Sequence, residues 1–261
     1  MQTLAIELNN VTLGYERHPA VHHLSAALPP GSLVAVVGPN GAGKSTLIKA
    51  LAGLLSPMQG DVKGLTGQRI AYLPQQADMD RRFPITVQDV VAMGLWHEVG
   101  ALGGHSRAQR ERCAHALAQV GLQGFAQRTI ATLSGGQFQR MLFARLVLQD
   151  APVILLDEPF TGVDARTTRD LLTLLQHWHA QGRTVLAVLH DTAQVREHFP
   201  HTWLLARELV AAGPTADVLS ASHLERARHL TEAFDDDAPE CERSNTATAL
   251  LRSIDHKRVT P

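Results

Sequence analysis

Cysteine is scarce in this chain, and long apolar runs are missing. Only two cysteines occur among 261 residues, Cys113 and Cys241, far apart and in no metal-like spacing. That usage excludes a disulfide framework and fits reduced thiols in a cytosolic protein. No uninterrupted stretch approaches the roughly 20 apolar residues a membrane-spanning helix needs. The opening residues, Met1 to Glu7, lack the basic patch and apolar core of a secretory signal. Net charge is −1 with neutral histidines, so no broad nucleic-acid surface is expected. The chain is therefore expected to be soluble by itself, with any membrane attachment supplied by another polypeptide.

What is present fits a large α/β domain. Hydrophobic residues make up 44% and charged residues 19%, enough to bury a core without a disulfide or metal staple. Leu4, Ile6 and Leu8 alternate with Ala5, Glu7 and Asn9, which predicts a strand with one buried face. Pro29, Pro30 and Gly31 form a turn, and Ser32 to Val37 reads as a central strand covered on both faces. It feeds a glycine-rich loop and a helix over Leu47 to Leu54. From Thr86 to Arg145 the pattern is helical. Thr86 with Asp89 and Ser106 with Gln109 read as capping boxes, Gly121 as a stop, and a third helix begins near Ser134. Strands return at Val153 to Leu156 and Thr184 to Leu189, around a helix over Arg166 to Ala180. Short strands follow at Trp203 to Leu205 and Leu209 to Ala211, with Gly213 and Pro214 as the turn after them. From Asp235 onward the composition fits a mobile tail.

Gly38, Pro39, Asn40, Gly41, Ala42, Gly43, Lys44, Ser45 and Thr46 match G-x-x-x-x-G-K-S/T in full. Glycines let the backbone wrap phosphate oxygens and aim N–H groups at them. A helix starting at Lys44 adds the positive end of its dipole. Lys44 is expected to reach the β- and γ-phosphates, and the Ser45 hydroxyl to ligate Mg2+. The run Val153 to Leu156 ends in Asp157 and Glu158, at the strand end where α/β sheets place ligand chemistry. Asp157 suits Mg2+, directly or through water, and Glu158 suits a general base for the attacking water.

The segment Leu133, Ser134, Gly135, Gly136 and Gln137 looks by pattern alone like a helix start that could meet an anion. It also resembles the signature sequence of ABC-type ATPases, and other motifs fall into that family's order. Gln75 resembles its glutamine loop, Asp157 and Glu158 its acidic pair, and Gly162 to Asp164 the loop that touches a partner subunit. His190 resembles the switch histidine, and Tyr15 stands where the family sets an aromatic ring against adenine. The motifs span roughly residues 3 to 220.

The resemblance implies a P-loop NTPase cassette: a mixed β-sheet core, an inserted α-helical subdomain and an N-terminal antiparallel β subdomain. The cassette would cover 1–234, its helical part about 86–148, and the tail 235–261. It implies ATP with Mg2+, bound by Gly38 to Thr46, Tyr15 and Asp157. Gln75 would sense Mg2+ and the attacking water, and His190 would contact the γ-phosphate. It further implies a head-to-tail dimer with a second copy, in which Ser134 to Gln137 and Asp164 complete the partner's site. A multi-span permease would hold the dimer at the cytoplasmic face of the membrane, with an extracytoplasmic solute-binding protein acting indirectly.

Arg82 to Val91 occupies the region that in this family receives a helix of the permease. Its wording, with Glu158 to Asp164, resembles the branch that imports zinc, manganese or chelated iron, zinc or manganese foremost. Arg81 stands where that branch often has tryptophan. An iron-siderophore or haem importer is the alternative. A soluble ABC-type ATPase is disfavoured, because no coiled coil and no second cassette intervene. The 14 histidines include the pairs His22–His23 and His177–His179, neither at the i, i+4 spacing of a helical metal site, so they read as solvated. Arg107, Arg110 and Arg112 read as a solvated helix face.

Overall fold

Alternation at the start of the chain gives a strand, set two residues later than the pattern suggests. The structure, a computed structural model, describes residues 4–16, 18–75, 80–100 and 104–232. β1 (Ile6–Tyr15) pairs antiparallel with β2 (His18–Leu28), Ile6 opposite Leu28. Leu4 precedes the strand and is 56% exposed, so the buried face begins at Ile6. β3 (Leu33–Val37) is buried at every residue and leads through the glycine-rich loop into α1 (Lys44–Leu51). The helix stops at Leu51, three residues short of the expected end, and Leu54 is exposed. β4 (Gln59–Lys63) returns to β1 and completes a three-stranded antiparallel sheet in the order β2-β1-β4.

β5 (Ile70–Leu73) is followed by four helices before the next strand: α2 (Val87–Ala92), α3 (Trp96–Val99), α4 (Arg107–Gln119) and α5 (Gly135–Gln149). Thr86 and Ser106 start α2 and α4 with reciprocal bonds to Asp89 and Gln109. Such a cap is worth about 1 kcal/mol, a useful share of a short helix's stability. α4 ends just before Gly121, whose φ of 73° suits the reversal. Arg107 pairs with Glu111 and Arg112 with Glu98, on exposed surface.

β6 (Val153–Asp157), α6 (Ala165–Ala180), β7 (Thr184–Val188), α7 (Thr192–His198), β8 (His201–Ala206), β9 (Glu208–Pro214), α8 (Thr215–Val218) and α9 (Ala221–Glu232) complete the described chain. The second sheet has the order β5-β6-β7-β3-β8-β9. Its first five strands run parallel, and β9 is antiparallel to β8. Gly213 and Pro214 lie inside β9, with Pro214 opposite His201, rather than in a turn after it. Proline is tolerated there because β9 is an edge strand. The tail from Asp235 lies outside the described residues.

Alternate residues of the central strands feed two cores. Ala35, Ile154, Leu156 and Ala187 face a cluster with Met141, Phe143 and Leu175 from α5 and α6. Val34, Val36, Leu155 and Leu186 face the other, with Leu47 and Ile48 of α1 and Leu8 and Leu24 of the antiparallel sheet. Burial on both faces is why these strands read as unbroken apolar runs. Phe143 stacks on Trp178 with centroids 6.0 Å apart, tying α5 to α6. Because β3, β6 and β7 are parallel neighbours, their carboxyl ends open on one edge of the sheet.

Candidate functional site

The loop from Gly38 to Gly43 leaves β3 at this edge. Gly43 caps α1 at φ 86°, and Gly41 sits at φ 78°. Lys44, the first helical residue, is buried. Its ammonium donates to the carbonyl oxygens of Gly38 at 2.9 Å and Pro39 at 2.8 Å, so it lies beneath the loop. Burial lowers its pKa, and the charges of Glu158 and Asp157 oppose that shift. Asn40 and Gly41 are exposed at the rim, while Ala42 and Thr46 are buried on the core side.

The next residue, Ser45, reaches across the sheet edge. Its hydroxyl donates to Asp157 Oδ1 at 3.1 Å, joining positions 112 residues apart. Asp157 is 1% exposed at the end of β6. Burial raises its pKa, with repulsion from Glu158 in the same direction, and Ser45, Lys49 and Lys44 resisting. A buried carboxyl beside a hydroxyl is a pair of hard oxygen donors, suited to Mg2+, whose charge would offset the burial cost.

Glu158 turns sharply away from Asp157, with φ 50°, a left-handed backbone uncommon for a residue with a Cβ. Its N–H donates to Val188 O at 3.2 Å, fastening the turn to the end of β7. One carboxylate oxygen lies 2.6 Å from His190 Nε2, and the other accepts the Thr161 hydroxyl at 3.2 Å. Glu158 is 11% exposed and His190 44%, so the pair is sheltered on the acid side and open on the imidazole side. Lys44, Ser45, Asp157, Glu158 and His190 thus gather at the ends of β3, β6 and β7.

Gln75 is exposed two residues beyond β5, the strand beside β6. Tyr15 ends β1, 48% exposed, with Lys49 Nζ 5.8 Å from its ring centroid. Ser134 and Gln137 bond each other rather than the Lys44 group: Ser134 Oγ accepts the Gln137 N–H at 3.2 Å, and Gln137 Oε1 accepts the Ser134 N–H at 3.1 Å. Gly135 and Gly136 form the exposed or half-buried first turn of α5. Asp164 caps α6, accepting N–H groups of Arg166 and Thr167 at 3.1 and 2.9 Å. These N–H bonds, with the Thr167 side chain, lower its pKa.

Residues that pattern reading missed include Thr161, bound to Glu158 three positions away within the turn, and Lys49, whose place beside Tyr15 and Asp157 is set by the fold. Arg81, the departure from tryptophan, lies with its guanidinium 4.0 Å over the Phe138 ring. A flat cation thereby stacks on an aromatic face of α5. His22 is half-buried rather than solvated, and burial lowers its pKa. Cys113 is a buried free thiol, raised by burial, while Cys241 lies outside the described residues. Among the described residues no His, Cys, Asp or Glu gather in threes as a metal site, and no helix is long and apolar enough to cross a membrane.

A family profile described as "ABC transporter" matches residues 21–161. The chain is 41% identical over 227 residues to a manganese transport system ATP-binding protein of Bacillus subtilis, covering 85% of this chain and 91% of that one. It is 38% identical to a zinc transport system ATP-binding protein of Treponema pallidum, covering 85% and 86%. Among solved structures, an inward-facing transporter classed as metal-chelate type aligns at a TM-score of 0.77 with 30% identity, covering 86% of this chain and 89% of that one. A bacterial ABC transporter cassette solved as a dimer aligns at 0.71 with 27% identity, covering 80% and 98%. Profile, relatives and sheet-edge geometry agree: the chain belongs to the ABC transporter family, as an ATP-binding cassette that hydrolyses ATP.

Proposed function

We propose that this chain energises uptake of a metal ion, manganese or zinc, through a membrane permease. The carrying observation is the gathering of Lys44, Ser45, Asp157, Glu158 and His190 at one sheet edge, in a chain whose relatives are named for manganese and zinc transport.

In this reading the loop N–H groups from Gly38 to Thr46 and the Lys44 ammonium hold the phosphates, and Tyr15 offers its exposed ring to adenine. Mg2+ held by Ser45 and Asp157, with Gln75 near it, would neutralise charge on the phosphates. Glu158 accepts the proton of the attacking water while His190 steadies the carboxylate and meets the γ-phosphate. Phosphoryl transfer needs little more than this positioning.

Ser134, Gly135, Gly136, Gln137 and Asp164 serve the nucleotide of a second copy packed head to tail. ATP closes that dimer because it touches both halves only when they meet. The exposed Phe83, just before α2, and Met93 and Trp96 on the helical part offer apolar surface to the permease. That contact holds the cassette at the cytoplasmic face, and a solute-binding protein delivers cargo from the other side. The cassette extends over 1–234, with helical part about 86–148 and a tail of 235–261.

The test is metal accumulation in cells lacking this subunit, complemented in parallel with the wild-type chain and with Glu158→Gln. Wild type should restore manganese or zinc uptake. Glu158→Gln should not, while in vitro it forms an ATP-dependent dimer by analytical ultracentrifugation and hydrolyses ATP roughly a hundred- to ten-thousandfold more slowly. Restored uptake of an iron chelate instead would favour the metal-chelate reading that one structural relative supports. Normal hydrolysis by Glu158→Gln would remove Glu158 from the role of base.

A further inference from the structure

The second turn of α5 reaches the segment that carries Glu158. Gln139 Nε2 donates to the Pro159 carbonyl oxygen at 2.6 Å, across 20 positions of sequence. Pro159 directly follows Glu158, whose left-handed φ of 50° persists only if surrounding bonds hold it. Three such bonds come from β7 and from the turn itself: Glu158 N–H to Val188 O at 3.2 Å, Thr161 N–H to Glu158 O at 3.3 Å, and the Thr161 hydroxyl to the carboxylate at 3.2 Å. The Gln139 bond has a different origin, the helix that opens with Ser134. Gln139 and Glu158 also line one cavity of about 420 Å3 with Pro74, Arg81, Phe138 and Thr161. Around it, neighbouring residues of α5 touch both flanks. Phe138 lies under Arg81, from the segment after β5, and Gln139 holds the segment after β6.

We propose that Gln139 is a positioning residue for hydrolysis: through the Pro159 carbonyl it sets the backbone of Glu158, so the placement of α5 governs how the base is presented to water. The inference rests on the reading of Glu158 as the base. Its consequence is specific. The helix whose first turn meets the partner's nucleotide holds, one residue beyond Phe138, the base of its own subunit. Engagement at one site thereby reaches the carboxylate at the other through α5, the Gln139 hydrogen bond and the short stretch of backbone from Pro159 to Glu158.

The experiment uses the full chain with ATP and Mg2+. Gln139→Glu keeps length but replaces the donor with an acceptor, Gln139→Leu removes polarity, and Gln139→Lys restores a donor. The Glu and Leu variants should lower kcat roughly tenfold, the scale of one well-placed hydrogen bond. KM for ATP, calorimetric ATP affinity and thermal midpoint should stay near wild type, and the Lys variant should recover most of kcat. In a Glu158→Gln background, Gln139→Glu should cause no further loss, because both act on one step. Unchanged kcat in the Glu and Leu variants would overturn the proposal, as would a Lys variant as slow as Leu. So would a kcat loss that only follows a lowered thermal midpoint. If Glu158→Gln alone hydrolyses normally, the base reading fails first; if it stops hydrolysis while Gln139→Glu does not, only the role of Gln139 fails.

Discussion

Replacing Gly43 by alanine should unsettle the whole protein, and the structure sets how much. Gly43 sits at φ 86°, and an alanine there carries the left-handed penalty of about 1–2 kcal/mol. Its Cβ would also lie 2.3 Å from Val21 Cγ2 and 2.7 Å from Ala20 O. Val21 is fully buried and Ala20 belongs to the β2 backbone, so neither gives way freely. Overpacking of this kind costs about 1–3 kcal/mol more. The sum, about 2–5 kcal/mol, corresponds to roughly 4–20 °C in thermal midpoint for a chain of this size. Gly41 provides the control. Its φ is 78°, but a Cβ there meets nothing within 4 Å. Gly41→Ala therefore carries only the conformational penalty, roughly 2–8 °C by the same scaling. Thermal unfolding of nucleotide-free protein, followed by circular dichroism, compares the two directly. If Gly41→Ala proves equally or more destabilising, the packing of the loop against β2 is wrong.

Lys44→Ala should abolish ATP binding, read as the loss of calorimetric heat where wild type saturates; unchanged affinity would overturn the cradle. Asp157→Asn should stabilise nucleotide-free protein at neutral pH. Burial raises the folded-state pKa of Asp157 above its unfolded value, so the native state holds the proton more tightly. Stability is therefore lost as pH rises from the ordinary carboxylate range through the raised folded value, and stays lost above it. The midpoint advantage of Asp157→Asn should be present at pH 7 and shrink in acid; an advantage independent of pH would contradict burial as the cause. Phe143→Ala removes a fully buried ring stacked on Trp178 and should cost about 3–5 kcal/mol by urea unfolding. A loss below 1 kcal/mol would mean that α5 and α6 are not held there.

Sequence by itself determined what local geometry can encode. Ser134 with Gln137, like the other two capping boxes, joins residues three apart, so the helix starts are legible without any knowledge of the fold. The valine-rich run before Gly38 and the apolar run before Asp157 show central strands, because burial on both faces leaves no polar alternation. The polar β4 and the interrupted β2 were not legible: their strand character comes from pairing with β1, not from their own pattern. Only tertiary structure decided the site. The order β6-β7-β3 brings Ser45 to Asp157 across 112 residues, and Glu158 takes its left-handed turn because bonds from β7, Thr161 and Gln139 hold it. Residue identity specifies caps and turns through neighbours a few positions away. Strand order and the contacts between strand ends arise only when distant segments bury their apolar faces together.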